Sequence, residues 1–248
     1  MQILLSNDDG YLAKGLGQLD RKLSEIANII TIAPDRDRSG ASNSLTLERP
    51  IRAQEVRERL FKVNGTPADC IHLAITGLLE SEPDMVISGI NSGPNMGDDV
   101  IYSGTVAAAI EGRFLSYPAI AISMSKYDPQ HYETGAMVAL NLVSKLKKHN
   151  PFGERVVLNI NVPDLPYEEL KGYSVTRLGY RQRPNPAIHS KDPRGKDIFW
   201  VGSAGSEADA SEGTDFHAIK NNFVSITPLK IDITDYELVK NFQEWLSV

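Results

Sequence analysis

The 248-residue sequence contains one cysteine, Cys70, and few histidines. A single cysteine excludes an intramolecular disulfide, which is typical of proteins from a reducing compartment. A zinc site is not expected either, because no ligand spacing relates the five histidines, which are His72, His131, His149, His189 and His217.

Long apolar runs are also missing, since none approaches the roughly 20 residues needed to cross a bilayer. The segment from Met1 to Asp9 lacks a basic stretch ahead of an apolar run, so we expect no signal peptide. The formal net charge is −6, without the basic excess of proteins that bind nucleic acids or anionic membranes non-specifically. We therefore expect a cytoplasmic protein with no stable nucleic-acid or membrane partner.

Three nucleotide-related or catalytic motifs are absent or incomplete. The sequence has no G-x-x-x-x-G-K-[ST] phosphate loop and no G-x-S-x-G nucleophile elbow. Gly15 and Gly17 form only part of a dinucleotide fingerprint, because Asp20 stands where the third glycine belongs. A dinucleotide-dependent oxidoreductase stays an alternative that depends only on these glycines and the α/β pattern described next.

Short β-branched runs alternate with amphipathic stretches through about the first 165 residues. Near-continuous apolar runs are typical of strands covered on both faces, and they predict strands at Gln2–Ser6, Ile29–Ala33, Met85–Ser88, Ala119–Ser123 and Val156–Val162. Helical spacing or capping signals predict helices with a Leu16–Ile26 stripe, from the cap Thr66, over Thr105–Phe114 and over about Pro129–Lys148. This alternation predicts an α/β fold with a parallel sheet between two layers of helices.

Beyond residue 166 the pattern changes to short β-like pieces among glycine, proline and aspartate. Tyr173–Leu178, Ile198–Val201 and Phe223–Thr227 read as hairpin strands that extend the sheet or project as an arm. Polar, proline-rich Gln182–Lys196 is expected to be a long loop or exposed extension. A capping box from Thr234 to Glu237 predicts a last helix that ends near Trp245.

The predicted strand ends carry polar side chains with chemical potential. Asp8 and Asp9 follow the first strand, and paired carboxylates there suit a hard divalent cation, although Asn7–Gly10 is also good turn chemistry. Arg36 and Arg38 follow the second strand and can form either a phosphate site or a solvated loop with neighbouring aspartates.

A third polar loop follows Met85–Ser88 and runs into Ser103-Gly104-Thr105. A helix that begins there offers free N–H groups to an anion, although plain helix capping is the alternative. Asp98 and Asp99 in this loop read as structural. Because ligands bind at the carboxyl ends of parallel strands, the three loops together predict a metal-and-phosphate site.

At these loops the sequence resembles the survival protein E (SurE) family of metal-dependent 5′/3′-nucleotidases. The matching segments run in order along nearly the whole chain: LLSNDDG at 4–10, APDRDRSGASNSLTL at 33–47, NGTPADC at 64–70, SGINSGPNMGDDVIYSGTVAAAIEGR at 88–113, LNINVP at 158–163 and SITPL at 225–229. The resemblance implies a Rossmann-like three-layer α/β/α sandwich that forms one domain over 1–248, with a core over about 1–165. Residues from about 166 to 248 would form a β-hairpin arm and helix used in a homodimer or homotetramer.

The resemblance also assigns residues and an activity. It implies one divalent metal per subunit, Mg²⁺ or Mn²⁺ with Ca²⁺ as a further option, held by Asp8, Asp9, Ser39 and Asn91. The phosphate pocket it implies consists of Gly40, Asn43, Asn95, Ser103, Gly104 and Thr105. The substrates would be nucleoside 5′- and 3′-monophosphates, with short polyphosphate as an additional one.

A mechanism that these residues allow uses Asp8, Asp9 and Asn95 as the catalytic group. Asp8 or Asp9 orients or deprotonates an attacking water, and Asn95 with the helix-start N–H groups and Arg36 or Arg38 stabilises the phosphoryl oxygens. The residues do not assign the general base, and a covalent aspartyl-phosphate stays an alternative. A phosphatase of a non-nucleotide metabolite and a non-catalytic nucleotide-binding protein are the competing functions.

Overall fold

The computed structural model describes residues 1–153 and 155–247, so positions 154 and 248 of the expected single domain lie outside the described residues. Its strands are β1 (Gln2–Ser6), β2 (Asn28–Pro34), β3 (Ala53–Arg57), β4 (Leu60–Val63), β5 (Met85–Asn91), β6 (Ala119–Met124), β7 (Val157–Val162), β8 (Tyr173–Val175), β9 (Tyr180–Arg181), β10 (Ile188–Lys191), β11 (Asp197–Trp200), β12 (Glu207–Asp209) and β13 (Val224–Leu229). Its α-helices are α1 (Lys14–Leu23), α2 (Pro67–Leu73), α3 (Gly104–Glu111), α4 (Tyr132–Lys148), α5 (Asp215–Lys220) and α6 (Tyr236–Leu246). None of these helices combines the length and hydropathy needed to span a bilayer.

Nine strands form one sheet in the order β3-β4-β2-β1-β5-β6-β7-β13-β8. The run from β4 to β7 is parallel throughout, whereas β3 pairs antiparallel with β4 and β13 pairs antiparallel with β7. The chain builds outward from β1 through β2 to β4 on one side and from β5 through β6 to β7 on the other. The strand order therefore reverses between β1 and β5.

Helices cover both faces of this sheet, as the sequence predicts. One buried cluster joins α1 and α4 to the sheet through side chains such as Leu16, Leu19 and Val138. A second cluster on the opposite face joins α2 and α3 through Ile71 and Val106. Because each face buries a continuous apolar layer, the architecture is the expected three-layer α/β/α sandwich.

The edge hairpin of β3 and β4 is absent from the sequence prediction. Four of the five residues of β3 are exposed, so the strand carries charged and polar side chains rather than an apolar run. In its turn Arg59 has φ 61°. Glycine or asparagine usually occupies this left-handed conformation and marks the turn in a sequence, and neither stands here. Edge strands of this kind give little periodicity for a sequence to reveal.

Strand β5 is longer than predicted, since it continues past Ser88 to Asn91. Gly89 has φ 140°, and a Cβ there would stand 2.3 Å from the Ile122 carbonyl oxygen. The pairing with β6 shifts register between Ser88 and Asn91. Glycine thus allows an irregular strand end where a loop was expected, and Asn91 stands at the end of the strand.

The helix boundaries agree with some sequence signals and correct others. Thr66 caps α2 in a reciprocal capping box with Asp69, as the Thr-Pro-Ala-Asp sequence indicates. The prediction that Thr234 caps the last helix is wrong, because the side chain of Asp235 accepts the N–H groups of Glu237 and Leu238. A carboxylate one residue later offers the stronger acceptor for this helix start.

The segment from β9 to β12 forms a largely exposed arm. Strands β10 and β11 pair as an antiparallel hairpin, and β9 pairs with β12 at its base. The expected loop over Gln182–Lys196 therefore contains a strand, although its side chains are largely exposed as anticipated. Helix α6 buries none of its side chains within the described residues.

Candidate active site

The loops after β1 and β5 lie side by side, because these two strands are neighbours at the point where the strand order reverses. In open α/β sheets this switch point creates a crevice outside the carboxyl ends of the strands. Asp8 and Asp9 follow β1, and Asn91 ends β5. The topology therefore brings together residues that stand more than 80 positions apart in the sequence, as a hydrogen bond from the Ser92 N–H to Asp9 Oδ2 at 3.1 Å demonstrates.

Asp8 is the more buried of the two carboxylates, with 4% of its surface exposed. It accepts a short hydrogen bond from the Thr105 hydroxyl at the start of α3. Gly104 permits this approach, because a Cβ at that position would stand 2.8 Å from Asp8 Cβ. The N-terminus of α3 is thus directed at Asp8, and the positive end of its dipole stabilises a carboxylate there.

Both carboxyls titrate above their ordinary range when no cation is present. Burial raises the pKa of Asp8, and hydrogen bonding from Thr105 only partly offsets it. Burial raises the pKa of Asp9 to about 6, with the neighbouring charge of Asp8 as the second cause. Two adjacent acids in this state favour a bound positive charge.

The surrounding donors fit a hard divalent cation. Ser39 Oγ donates to Asp37 at 2.6 Å, which leaves its lone pairs for a ligand. The Asn91 amide nitrogen donates to the Gly93 carbonyl at 2.9 Å, which leaves the amide oxygen as an acceptor. Within residues 1–153 and 155–247 no group of three or more His, Cys, Asp or Glu side chains could hold a metal. A set of two carboxylates, a hydroxyl and an amide oxygen suits Mg²⁺ or Mn²⁺ better than zinc.

A cavity of about 270 Å³ opens at this site. It brings together three of the four predicted metal ligands and three of the six predicted phosphate contacts, namely Asp8, Ser39, Asn91, Gly40, Asn95 and Ser103. Larger cavities on the molecule lack this combination of acids and phosphate-binding loops. The chemistry of the lining, rather than the volume, selects this cavity.

Asn95 is fixed in the cavity wall by polar residues that the sequence analysis did not select. Asn161 accepts from the Asn95 N–H at 2.9 Å and donates to its carbonyl at 2.8 Å. Asn159 donates to the same carbonyl at 2.8 Å, and the Asn95 side chain donates to Ser123 at 2.7 Å. Two asparagines at alternate positions of a buried strand, in LNINVP, were the signal that could have revealed this network.

Four of the predicted site residues do not line the cavity, namely Asp9, Asn43, Gly104 and Thr105. Asp9 lies beside Asp8 and contacts the Ser92 N–H, whereas Gly104 and Thr105 lie behind Asp8. Asn43 is exposed and lines an adjacent apolar cavity that shares Ser103.

The two loop arginines are also absent from the cavity lining. Arg38 donates its backbone N–H to the Asp8 carbonyl at 2.8 Å, and its guanidinium lies 3.6 Å from Asp35. Arg36 is exposed. The backbone of Arg38 therefore helps to hold the backbone of Asp8 in place.

The family model described as survival protein SurE matches residues 3–185, well over half of the chain. The chain belongs to the SurE survival protein family. A 5′-nucleotidase SurE from Methylococcus capsulatus is 59% identical over 99% of this chain and 98% of that protein. One from Methylobacillus flagellatus is 55% identical, with 100% of both chains covered. The SurE protein from Aquifex aeolicus, whose crystal structure is known, is 40% identical in sequence to this chain. The two structures align over 100% of both chains with a TM-score of 0.87.

The SurE-type loop after β5 is attached to the base of the arm. Arg181 pairs with Asp99 through a short contact, and its backbone N–H donates to Asp98 Oδ1 at 3.1 Å. The two acids, which the sequence analysis interpreted as structural, therefore hold the cavity loop against β9. Asp99 also lines the cavity, so the arm base and the site share a residue.

A second anchor of this loop comes from the Gly213–His217 segment. Asp215 is fully buried and accepts from the N–H groups of Gly97 at 2.7 Å and Gly179 at 2.9 Å. His217, one of the five histidines, lies outside the cavity lining. The carboxylate rather than the imidazole thus connects this segment to the site.

Proposed function

We propose that this protein is a divalent-metal-dependent nucleotidase that hydrolyses nucleoside 5′- and 3′-monophosphates to nucleoside and phosphate. The observation that carries the proposal is the single cavity wall that combines Asp8, Ser39 and Asn91 with Asn95 and Ser103. The names of the full-length relatives, 5′-nucleotidase SurE at 54–59% identity, support the same activity. We include hydrolysis of 3′-monophosphates and of short polyphosphate in the proposal.

Asp8, Asp9, Ser39 and Asn91 would hold one divalent metal ion, with Mg²⁺ or Mn²⁺ as the proposed identity. The bound ion supplies positive charge opposite the phosphoryl oxygens and lowers the pKa of a bound water. Thr105 keeps the Asp8 carboxylate in place through its hydroxyl.

Phosphate binding would use Gly40, Asn95 and Ser103 from the cavity wall. Gly40 has φ 75°, a conformation that exposes backbone N–H groups to an anion in tight loops. Asn95 is already held by Asn161 and Ser123, so its amide meets the phosphoryl group without a reorganisation cost. Asn43, Gly104 and Thr105 complete the proposed phosphate set around these three.

In the reading that we favour, a water attacks the phosphorus and the phosphorus–oxygen bond to the nucleoside breaks. Asp8 or Asp9 orients the water or accepts its proton, and the departing nucleoside oxygen takes up a proton to become a hydroxyl. Asp9 is the less buried of the two, so it is the more accessible proton acceptor. A covalent aspartyl-phosphate on Asp8 is the alternative, and detection of phosphate trapped on Asp8 would replace the water-attack reading.

The exposed C-terminal third would serve assembly into a homodimer or homotetramer. The arm hairpin presents Ile188, Phe199 and Trp200 to solvent, and α6 presents Phe242 and Trp245. Apolar surface of this extent is typical of protein interfaces. We also propose that the chain forms one domain with a core over about 1–165. A cytoplasmic location is a further proposal.

The experiment is phosphate release from a panel of 5′- and 3′-nucleoside monophosphates and sugar phosphates, with Mg²⁺, Mn²⁺ or EDTA. Asp9→Asn should abolish metal-dependent release, while Glu80→Gln, which removes an exposed acid ahead of β5, should not. Preferential release from sugar phosphates would support a non-nucleotide phosphatase instead. No release with any metal would support a nucleotide-binding protein without catalysis.

A further inference from the structure

Two exposed tyrosines border the candidate active site and have no role in the metal or phosphate chemistry. Tyr102 and Tyr127 are 63% and 81% exposed, yet both line the cavity that contains Asp8 and Asn95. Tyr102 directly precedes Ser103, and Tyr127 follows β6. Large aromatic side chains left uncovered beside a polar cavity are surfaces available to a ligand.

The Tyr127 ring lies against the backbone of Gly93. A Cβ on Gly93 would stand 2.6 Å from Tyr127 Cε1 and 2.8 Å from Cδ1, so the ring packs on the bare backbone of this glycine. The Gly93 carbonyl also accepts from the side chain of Asn91 at 2.9 Å. The ring therefore lies next to a proposed metal ligand, at the rim of the cavity, where a ligand can pack against it.

Tyr102 is connected to the loop that supplies Ser39 and Gly40. Its carbonyl accepts from the Ser42 N–H at 3.2 Å, and the Ser42 hydroxyl donates to the Ile101 carbonyl at 2.8 Å. The backbone of Tyr102 is thus attached to the loop that supplies the phosphate side of the cavity. A cavity that combines acidic and phosphate-binding groups with two aromatic residues matches a ligand with a phosphate and a flat apolar part.

We propose that the Tyr127 ring is the platform on which the substrate's nucleobase stacks, and that Tyr102 contacts the nucleoside from another side of the cavity. This inference rests on the proposed nucleotidase function and names its substrate-recognition residues. Stacking accepts any base, because every base has a π face, and it discriminates against phosphate esters without a ring. The tyrosines would therefore select nucleotides over sugar phosphates with little preference among bases.

The test compares KM and kcat of Tyr127→Ala for adenosine 5′-monophosphate with the values for ribose 5-phosphate, which has the same phosphate and sugar but no base. Loss of one stacking contact should raise KM for the nucleotide about 5- to 100-fold. We expect kcat to change less than about twofold and KM for ribose 5-phosphate to stay constant, because stacking acts on binding rather than on the phosphoryl group. Tyr127→Phe should restore the nucleotide KM, because it keeps the ring.

Phe114→Ala is the matched control, since it removes a 58% exposed ring that lines a different cavity. Its KM for both substrates should equal that of the unmodified protein. An unchanged nucleotide KM in Tyr127→Ala, or an equal rise for both substrates, would overturn the inference while leaving the nucleotidase function intact. Absence of nucleotide hydrolysis by the unmodified protein would instead defeat the function on which the inference rests. Tyr127→Leu provides a second variant should Tyr127→Ala fail to fold.

Discussion

The substitution Asp9→Asn should have opposite effects on activity and on stability. Asparagine has the same size as aspartate and can still accept the Ser92 N–H, which lies 3.1 Å from Asp9 Oδ2. It removes the negative charge that a divalent cation needs. It also removes a charge that the metal-free protein holds at a cost, next to Asp8.

The magnitude follows from the pKa of Asp9. Burial, and then the charge of Asp8, raise this pKa from 3.8 to about 6. Ionising the carboxyl at pH 7 in the folded protein therefore costs about 3 kcal/mol more than in the unfolded chain. Partial solvent access reduces this figure, so we expect metal-free Asp9→Asn to be about 2 kcal/mol more stable than the unmodified protein. For a chain of this size that corresponds to a rise in Tm of roughly 4–8 °C.

The pH dependence has a defined sign. Because the folded pKa is raised, Asp9 does not destabilise the fold at a pH below its unfolded value of 3.8, and its penalty develops as pH rises from that value to about 6 and stays constant above it. Urea unfolding in EDTA should thus show similar stability for both proteins near pH 4, an advantage for Asp9→Asn that grows up to about pH 6, and little further change at higher pH. Saturating Mn²⁺ should reverse the order, since only the unmodified protein gains free energy by binding it.

Glu80→Gln removes one negative charge at an exposed site and should show neither the pH-dependent advantage nor the reversal by Mn²⁺. Equal stability of Asp9→Asn and the unmodified protein at pH 7 in EDTA would refute the assignment of Asp9 to a desolvated acidic pair. An advantage that does not vary between pH 4.5 and 7.5 would refute it as well.

Three further variants and one reagent test other parts of the structure. Asn95→Ala should lower kcat about 10²- to 10³-fold, on the scale of one lost oxyanion donor. Ser123→Ala should lower kcat less, because it removes only the 2.7 Å hydrogen bond that orients the Asn95 amide. Steady-state kinetics measures both effects. Asp69→Ala should cost about 3 kcal/mol in urea unfolding at pH 7, since two backbone N–H groups lose a charged acceptor. Burial raises the Asp69 pKa but these hydrogen bonds outweigh it and lower the pKa overall, so its stabilising effect should persist above about pH 4 and disappear as pH falls through the folded pKa. Cys70 is fully buried, which raises the pKa of its thiol, so a disulfide reagent should modify it in urea and not in the native protein.

The sheet was predictable because its central strands are buried on both faces. The apolar runs that predict β1 and β6 agree closely with the observed strands, since all of their residues except Gln2 are buried and only small serines interrupt the apolar side chains within the runs. The edge strand β3 was missed for the opposite reason, because its side chains face water. Strand β5 was predicted too short, because Gly89 ordinarily indicates a break and here allows a close approach to Ile122.

The candidate site was predictable as far as each residue follows a strand end. Asp8, Ser39 and Asn91 follow different strands and border one cavity. The strand-end rule predicted that their loops meet, whereas the family resemblance identified Ser39 and Asn91 as ligands. The contact from Thr105 to Asp8 was not predictable, because it joins residues 97 positions apart through the packing of α3. The Asn159 and Asn161 support of Asn95 likewise depends on the register of a distant strand.

Diffraction from crystals soaked with Mn²⁺ and inorganic phosphate would test the proposed metal centre most directly. The anomalous signal should give one peak per chain, within Mn²⁺ coordination distance of Asp8, Asp9, Ser39 and Asn91, with phosphate density against Asn95 and Ser103. Asp9→Asn crystals treated in the same way should lose the peak. A peak elsewhere on the chain, or none at full Mn²⁺ saturation, would contradict the metal site from which the proposed nucleotidase chemistry is built.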